Sequence, residues 1–497
     1  MGAAVHLRKY RLLSRAGMLL VALAVSLASS PAHAIKCTKP DDLCIGDPCV
    51  IRQIDVASPC TLDFGDRTLV IRGTLTVPNG GTLELKAREI DVRRAIVARH
   101  ATPHAGVAGN VSLTAIDNIT VGWRIDASGR VTPGRISLDA GGDVQLLAPL
   151  RAAANGVNPT ATGGTISITA GGRIYASGRA RIRADGAVRT AGGSISLSAG
   201  SGARLENRIG ADGRDGGSLT VSTSTGDIFT SRQLTATGEL GTGGSVVAFA
   251  QTGSVFLLDH VDAQGVTGGG TIFAIASKVL SAAGHLRARA NPGMGSGGTV
   301  VASANAFVRL SDTVYADGAR GGLIQVSCLE GDLQTMAPLL ADGANGPGGS
   351  ITVNALHAMT VDSQLDADGD DRGGDIAVNG MTVTIANRGE LFARGDTGGT
   401  VTVTGDSVSV LVGARILVDG TEPSGRIQLD ATAGDLTLSG RFRARGRAGS
   451  IEGTATRGVF ADGEFEADGD GCIGLSAGTT LDTTGGMFDI PVMASCP

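Results

Sequence analysis

Two short patterns alternate along most of the chain. The first is strict apolar–polar alternation after a glycine pair: Gly163-Gly164-Thr165-Ile166-Ser167-Ile168-Thr169-Ala170 returns as Gly192-Gly193-Ser194-Ile195-Ser196-Leu197-Ser198-Ala199, as Gly348-Gly349-Ser350-Ile351-Thr352-Val353 and as Gly398-Gly399-Thr400-Val401-Thr402-Val403-Thr404. A period of two with β-branched residues predicts strands that bury one face. The second pattern is apolar-x-Ala-x-Gly, as in Ile182 to Gly186, Ile209 to Gly213, Val314 to Gly318 and Leu365 to Gly369. A third element, in Gly226-Asp227-Ile228, Gly331-Asp332-Leu333 and Gly434-Asp435-Leu436, opens another short strand between the first two.

The patterns return at a fixed interval. From Ala211 to Ala467 the central alanine of the second pattern recurs over ten intervals spanning 256 residues, a mean of 25.6. Three short strands and three turns in about 26 residues describe one coil of an all-β, right-handed parallel β-solenoid. One coil cannot bury its alternate apolar residues alone, so coils must stack, placing Ile166 over Ile195 in aliphatic columns. Glycines at the corners are expected to supply positive φ and close backbone approach. A propeller blade needs about 40 residues, and a sandwich array would not hold this period. Roughly 17 coils give a rod on the order of 80 Å long.

The start of the chain sets the compartment. Arg8, Lys9, Arg11 and Arg15 precede an apolar run from Ala16 to Leu27 and a small-residue stretch to Ala34, the layout of a secretory signal peptide cut after Ala34. No later apolar run is long enough to span a membrane as a helix. Cys37, Cys44, Cys49 and Cys60 then crowd together, and Cys472 and Cys496 lie near the other end. In an oxidising compartment these read as two disulfides in an N-terminal cap, with three possible pairings, and one staple on the tail. Cys328 falls in a slot that other coils fill with Ala170, Ala199 or Ala355, which suits a small buried thiol. The expected organisation is a leader over 1–34, a cap over 35–61, the solenoid over 62–482 and a C-terminal cap over 483–497.

These units resemble the glycine-rich coils of filamentous-haemagglutinin-like exoproteins and, more broadly, the pectin-lyase-like right-handed β-helices of bacteria. The resemblance covers residues 62–482 and rests on structural motifs. It implies a surface filament or adhesin in the first group, and an acidic-polysaccharide groove with calcium or paired aspartates in the second. Val77-Pro78-Asn79-Gly80-Gly81 only faintly echoes the first group's secretion signal, and the tail from Met487 does not look like an outer-membrane strand.

Composition and candidate chemistry narrow the function. The formal charge of −5 becomes −9 without the leader, which excludes nucleic acid as an expected partner. Asp366, Asp368, Asp370, Asp371 and Asp375 crowd one turn and form a candidate calcium site, beside the alternative of a solvated turn; no other cofactor is expected. Asp185, Asp212, Asp317, Asp342 and Asp368 share one slot in different coils and would repel without a counterion. His100 and His104 are four apart, but Pro103 denies them a helix and the usual paired-ligand geometry. No two carboxylates are singled out by spacing as acid and nucleophile. Thr165, Ser167 and Thr169, with their counterparts in other coils, would make an ordered hydroxyl face that Phe273, Ala302 and Gln325 interrupt. The expectation is a non-enzymatic scaffold, exported to the surface, periplasm or surroundings of a Gram-negative-type bacterium, contacting envelope or extracellular matrix components including polysaccharide. A polysaccharide-active enzyme is the first alternative and an ice-binding-like hydroxyl surface the second.

Overall fold

The computed structural model describes residues 37–496 except 38, 53, 57, 79, 100–105, 156–160, 422–424 and 469. The leader, its cleavage site after Ala34, His100 and His104 lie outside the described residues. The rest is a parallel β-solenoid in which alternation along each strand decides which side chains enter the core. Its only described helix is a single turn, Pro40–Asp42.

Strands stack in three parallel ladders. The first holds six-residue strands such as Thr165–Ala170 and Ser194–Ala199, the second strands such as Arg173–Ala176 and Gly202–Leu205, and the third strands such as Ile182–Arg183 and Ile209–Gly210. Register is in phase, so Ile166 lies opposite Ile195, Ile168 opposite Leu197 and Ala170 opposite Ala199. The first two ladders form one sheet of 34 strands, because Asp375–Ile385 and Thr400–Val410 run unbroken from one ladder into the other. The third ladder is open-ended, from Ile54–Asp55 to Met487–Phe488.

Inward residues are fully buried, Ile166, Ile195 and Leu197 among them. Each such side chain contributes about 1.5–3 kcal/mol only while a neighbouring coil covers it. One inward column runs Ile168, Leu197, Val221, then Ala248, Ala274, Ala302, then Val326 and Val353. Ala302 therefore does not interrupt the outward face as the sequence suggested; Val301 does. Three apolar residues in succession, Val300-Val301-Ala302, hide the phase of the alternation.

The glycine pairs are explained by close approach. A Cβ on Gly193 would stand 2.0 Å from the carbonyl oxygen of Gly164 in the coil below. Positive φ is confined among the described glycines to Gly46, Gly65, Gly80, Gly202, Gly413 and Gly446, and of the pairs that open first-ladder strands only Gly80-Gly81 includes one.

Both ends are tied covalently. Cys37 is bonded to Cys60, Cys44 to Cys49, and Cys472 to Cys496. Pairing begins before residue 62, since Cys49–Ile51 already lies beside Thr68–Ile71, and it continues past 482, where Val492 pairs with Ile473. Cys328 is buried and free, and burial raises its thiol above the usual range, which leaves it an unreactive filler of the alanine column.

Candidate functional site

The recurring Gly-Asp elements are structural. Asp227 Oδ1 accepts the backbone N–H of Ser254 at 2.7 Å, Asp332 that of Ala358 at 3.0 Å and Asp435 that of Gly458 at 2.9 Å, each one coil further on. Each carboxylate staples one corner to the next.

Between such corners the second ladder turns a column of larger side chains outward. Gln145, Tyr175, Arg204 and Phe229 stand in register on successive strands. Gly202 lies opposite Arg173, and the missing side chain opens a shallow cavity of about 670 Å³ bordered by Asn118, Arg173, Tyr175 and Phe229. Its φ of +148° suits glycine alone. Glu206 accepts from Arg204 Nε at 2.7 Å and from the Tyr175 hydroxyl at 3.0 Å. The Arg204 hydrogen bond, ahead of the Tyr175 bond and the Arg204 charge, holds Glu206 below the usual carboxylate range against the effect of burial. The Arg204 guanidinium also lies 5.2 Å from the Phe229 ring centroid. The arginines, aromatic faces and amide groups share this open surface with the carboxylates of Glu89, Asp143 and Asp227, a mixed lining that fits an extended polar ligand better than a small molecule. A second hollow, about 470 Å³ and bordered by Arg151, Arg179, Arg181 and Arg183, lies in the same part of the chain.

The acidic candidates divide. Asp368 and Asp370 border an open hollow of about 550 Å³ with Asp342, Asp396 and Arg394, and Asp366 hydrogen-bonds to Asp342. Asp371 sits in the turn beyond, its carbonyl accepting from Thr397, and Asp375 opens the next long strand on a different ladder. The shared-slot aspartates do stack, and backbone amides cover part of their charge. Asp317 Oδ1 accepts the N–H of Asp342 at 3.3 Å, Asp342 Oδ1 that of Asp368 at 3.2 Å, and Asp185 Oδ1 that of Asp212 at 3.3 Å. Arg394 forms an ion pair with Asp368. Burial, then the charges of Asp366 and Asp317, push Asp342 up to about 9, while burial first pushes Asp366 and Asp317 each to about 6. Asp342 therefore keeps a proton at neutral pH and shares it with Asp366. The sequence hid this pair because its members lie in different coils.

A third constellation was not found in the sequence. His260, His285 and Asp312 come one from each of three successive coils, with ligand atoms within 4.8 Å of one another. The imidazoles stack at 4.7 Å, and His285 Nδ1 stands 2.8 Å from Asp312 Oδ1. Burial holds His285 below the usual histidine range, against the opposing charge of Asp312. His260 Nδ1, however, accepts the backbone N–H of His285 at 3.2 Å, so a metal ion would have to take its Nε2 or break a coil-to-coil hydrogen bond. The recoverable signal was a histidine returning after 25 residues in the same slot.

Fold and surface together define a parallel β-solenoid protein, disulfide-tied at both ends, whose chemistry lies in side-chain columns rather than in a deep cleft. No known family, no curated protein and no solved structure matches the chain.

Proposed function

We propose that this chain is an exported, non-enzymatic scaffold that holds envelope or matrix polymers, acidic polysaccharide first among them, against its stacked polar columns. The observation that carries the reading is the pair of open hollows in this stretch, one bordered by Arg151, Arg179, Arg181 and Arg183 and the other by Arg173, Tyr175, Arg204 and Phe229 together with Glu89, Asp143 and Asp227. Many weak contacts along a rigid rod give avidity without a deep pocket. Three disulfides suit an oxidising compartment, and no helix among the described residues is long and apolar enough to cross a membrane. The test is a glycan screen that reads both binding and released product. Uronate-containing chains should bind without being cut, and an Arg173→Ala/Arg204→Ala variant should lose that binding. Cleavage of any chain overturns the non-enzymatic reading.

One observation favours a second reading, a polysaccharide-active enzyme. Asp342, protonated near neutral pH, supplies the acid that glycoside hydrolysis needs, and Asp368 and Asp370 border the same hollow as candidate carboxylates, since Asp366 shares the proton and is too close to flank a bond. Under that reading an Asp342→Asn variant releases no product while retaining its fold.

A further inference from the structure

The outward side of the first ladder differs from every other surface of the rod. Over eight consecutive strands, from Thr165–Ala170 to Ser350–Ala355, the 24 outward positions carry no charged residue, in a chain that is 18% charged. Charges return only beyond, at Arg135 and Asp139 on one side and Asp375 on the other. The centre of this face is apolar. Val247, Phe249, Phe273, Ile275, Val301 and Leu323 point outward on four adjacent strands, with Phe249 39% and Leu323 37% exposed. On three of those strands the inward column shrinks to Ala248, Ala274 and Ala302. Core packing does not ask for large residues outside and small ones inside; a second apolar surface against this face does.

Charge is also sorted along the chain. Residues 124–214 hold twelve basic and six acidic side chains, 215–311 hold five of each, and 312–420 hold five basic and fifteen acidic. Because each coil advances the rod by one step, this order becomes a basic arm, a neutral centre and an acidic arm.

We infer that two copies of this chain pair face to face through the outward side of the first ladder, antiparallel, about a two-fold axis in the apolar centre. The uncharged face measures about 20 Å along the strands and about 38 Å along the ladder, roughly 750 Å² per copy, close to the ~800 Å² per partner of a stable interface. Flat sheets pack this way about 10 Å apart. The antiparallel direction follows from the arms. It sets the basic arm of each copy beside the acidic arm of the other, whereas parallel copies would set like charges together. The pairing is independent of what the scaffold binds, and it leaves the Arg173–Phe229 surface outward.

Sedimentation velocity on the purified protein should show a dimer that weakens as salt is added. Phe249→Lys/Phe273→Lys should raise the dimer dissociation constant by about 100-fold or more, because two charges lose water without gaining partners. Phe249→Ser/Phe273→Thr, which only extends the hydroxyl character of the face, should act in the same direction with an unchanged melting temperature. A Val247→Cys variant, close to the axis, should link two copies through a short bismaleimide that spans roughly 10 Å, and Thr402→Cys, six strands away, should not. A wild-type monomer at the highest soluble concentration overturns the inference, as does a dimer linked through Thr402→Cys, which parallel pairing would give. So does a monomer that uses this face to bind ice or a crystalline neutral glycan. Loss of uronate binding with the dimer intact would overturn only the proposed function.

Discussion

Replacing Asp342 by asparagine should stabilise the protein, and more so as pH rises. In the folded chain its carboxyl is raised from 3.8 to about 9, by burial first and then by the charges of Asp366 and Asp317. A raised carboxyl contributes stability that is fully present below the unfolded value, near 3.8, and is lost as pH climbs through the folded value. Between those limits the folded state holds a proton that the unfolded chain releases, so each pH unit costs up to about 1.4 kcal/mol. Asp366 and Asp317, raised to about 6, add to the slope only below that pH. Asparagine is neutral in both states and can still donate to Asp366. The variant should match wild type near pH 4 and exceed it by roughly 2–4 kcal/mol at pH 8, below the limiting slope because part of the site is solvated. Solenoids need not unfold in one step. The sensitive assay is therefore amide exchange in Leu339–Leu340 and Gln364–Asp366, comparing variant and wild type at each pH. Equal or weaker protection of the variant at pH 8, or a larger gain at pH 5 than at pH 8, refutes the shared proton.

Other expectations follow from the same geometry. Calcium held by Asp342, Asp366 and Asp368 must displace that proton, so a calcium-dependent rise in melting temperature should be larger at pH 9 than at pH 6; no shift at millimolar calcium at either pH removes the ion. Gly193→Ala forces a Cβ to 2.0 Å from a carbonyl oxygen and should cost about 3 kcal/mol or more by denaturant unfolding, while Gly178→Ala, with its nearest atom at 3.8 Å, should stay within about 0.5 kcal/mol of wild type. Phe465 is stacked between Phe442 and Phe488 at 4.7 and 4.8 Å, so Phe465→Ala should cost about 3–5 kcal/mol and raise proteolysis of the C-terminal coils selectively.

The period of 25.6 residues and the alternation within it were enough to read the architecture, because in-register stacking is what an exact repeat demands. Phase was lost only where alternation fails, as at Val300-Val301-Ala302, and the pairing of Cys49–Ile51 and Val492–Met493 was not legible because those strands lack the repeat's glycine signals. Of the two reasons expected for the corner glycines, close backbone approach holds at most of them and positive φ at only a few, Gly202 and Gly446 among them. Left-handed backbone is visible in a turn motif, whereas contact between carbonyls of adjacent coils depends on two segments at once. The site followed the same rule. Asp342 and Asp368 were legible as one slot and Asp366 and Asp368 as neighbours in one loop, but the Asp342–Asp366 contact joins different slots of adjoining coils, and His260, His285 and Asp312 are each isolated until the coils stack.

That transposition also bears on function. In a globular enzyme a pocket gathers residues from distant parts of the chain, so composition in one window says little about any surface. Here a window of about 26 residues is a position along the rod, and a slot within the window is a face. Arg173, Tyr175, Arg204 and Phe229 make one surface because they share adjoining slots on successive coils. The outward face of the first-ladder strands from Thr165–Ala170 to Ser350–Ala355 makes another because three slots stay uncharged for eight coils. A surface built this way can be lengthened or recharged one coil at a time without disturbing the core, since inward and outward residues alternate and each coil rests only on its neighbours. Such a design favours extended partners over compact ones. A polymer lying along the columns, or a second rod lying across the uncharged face, meets the same kind of contact at each step of the stack.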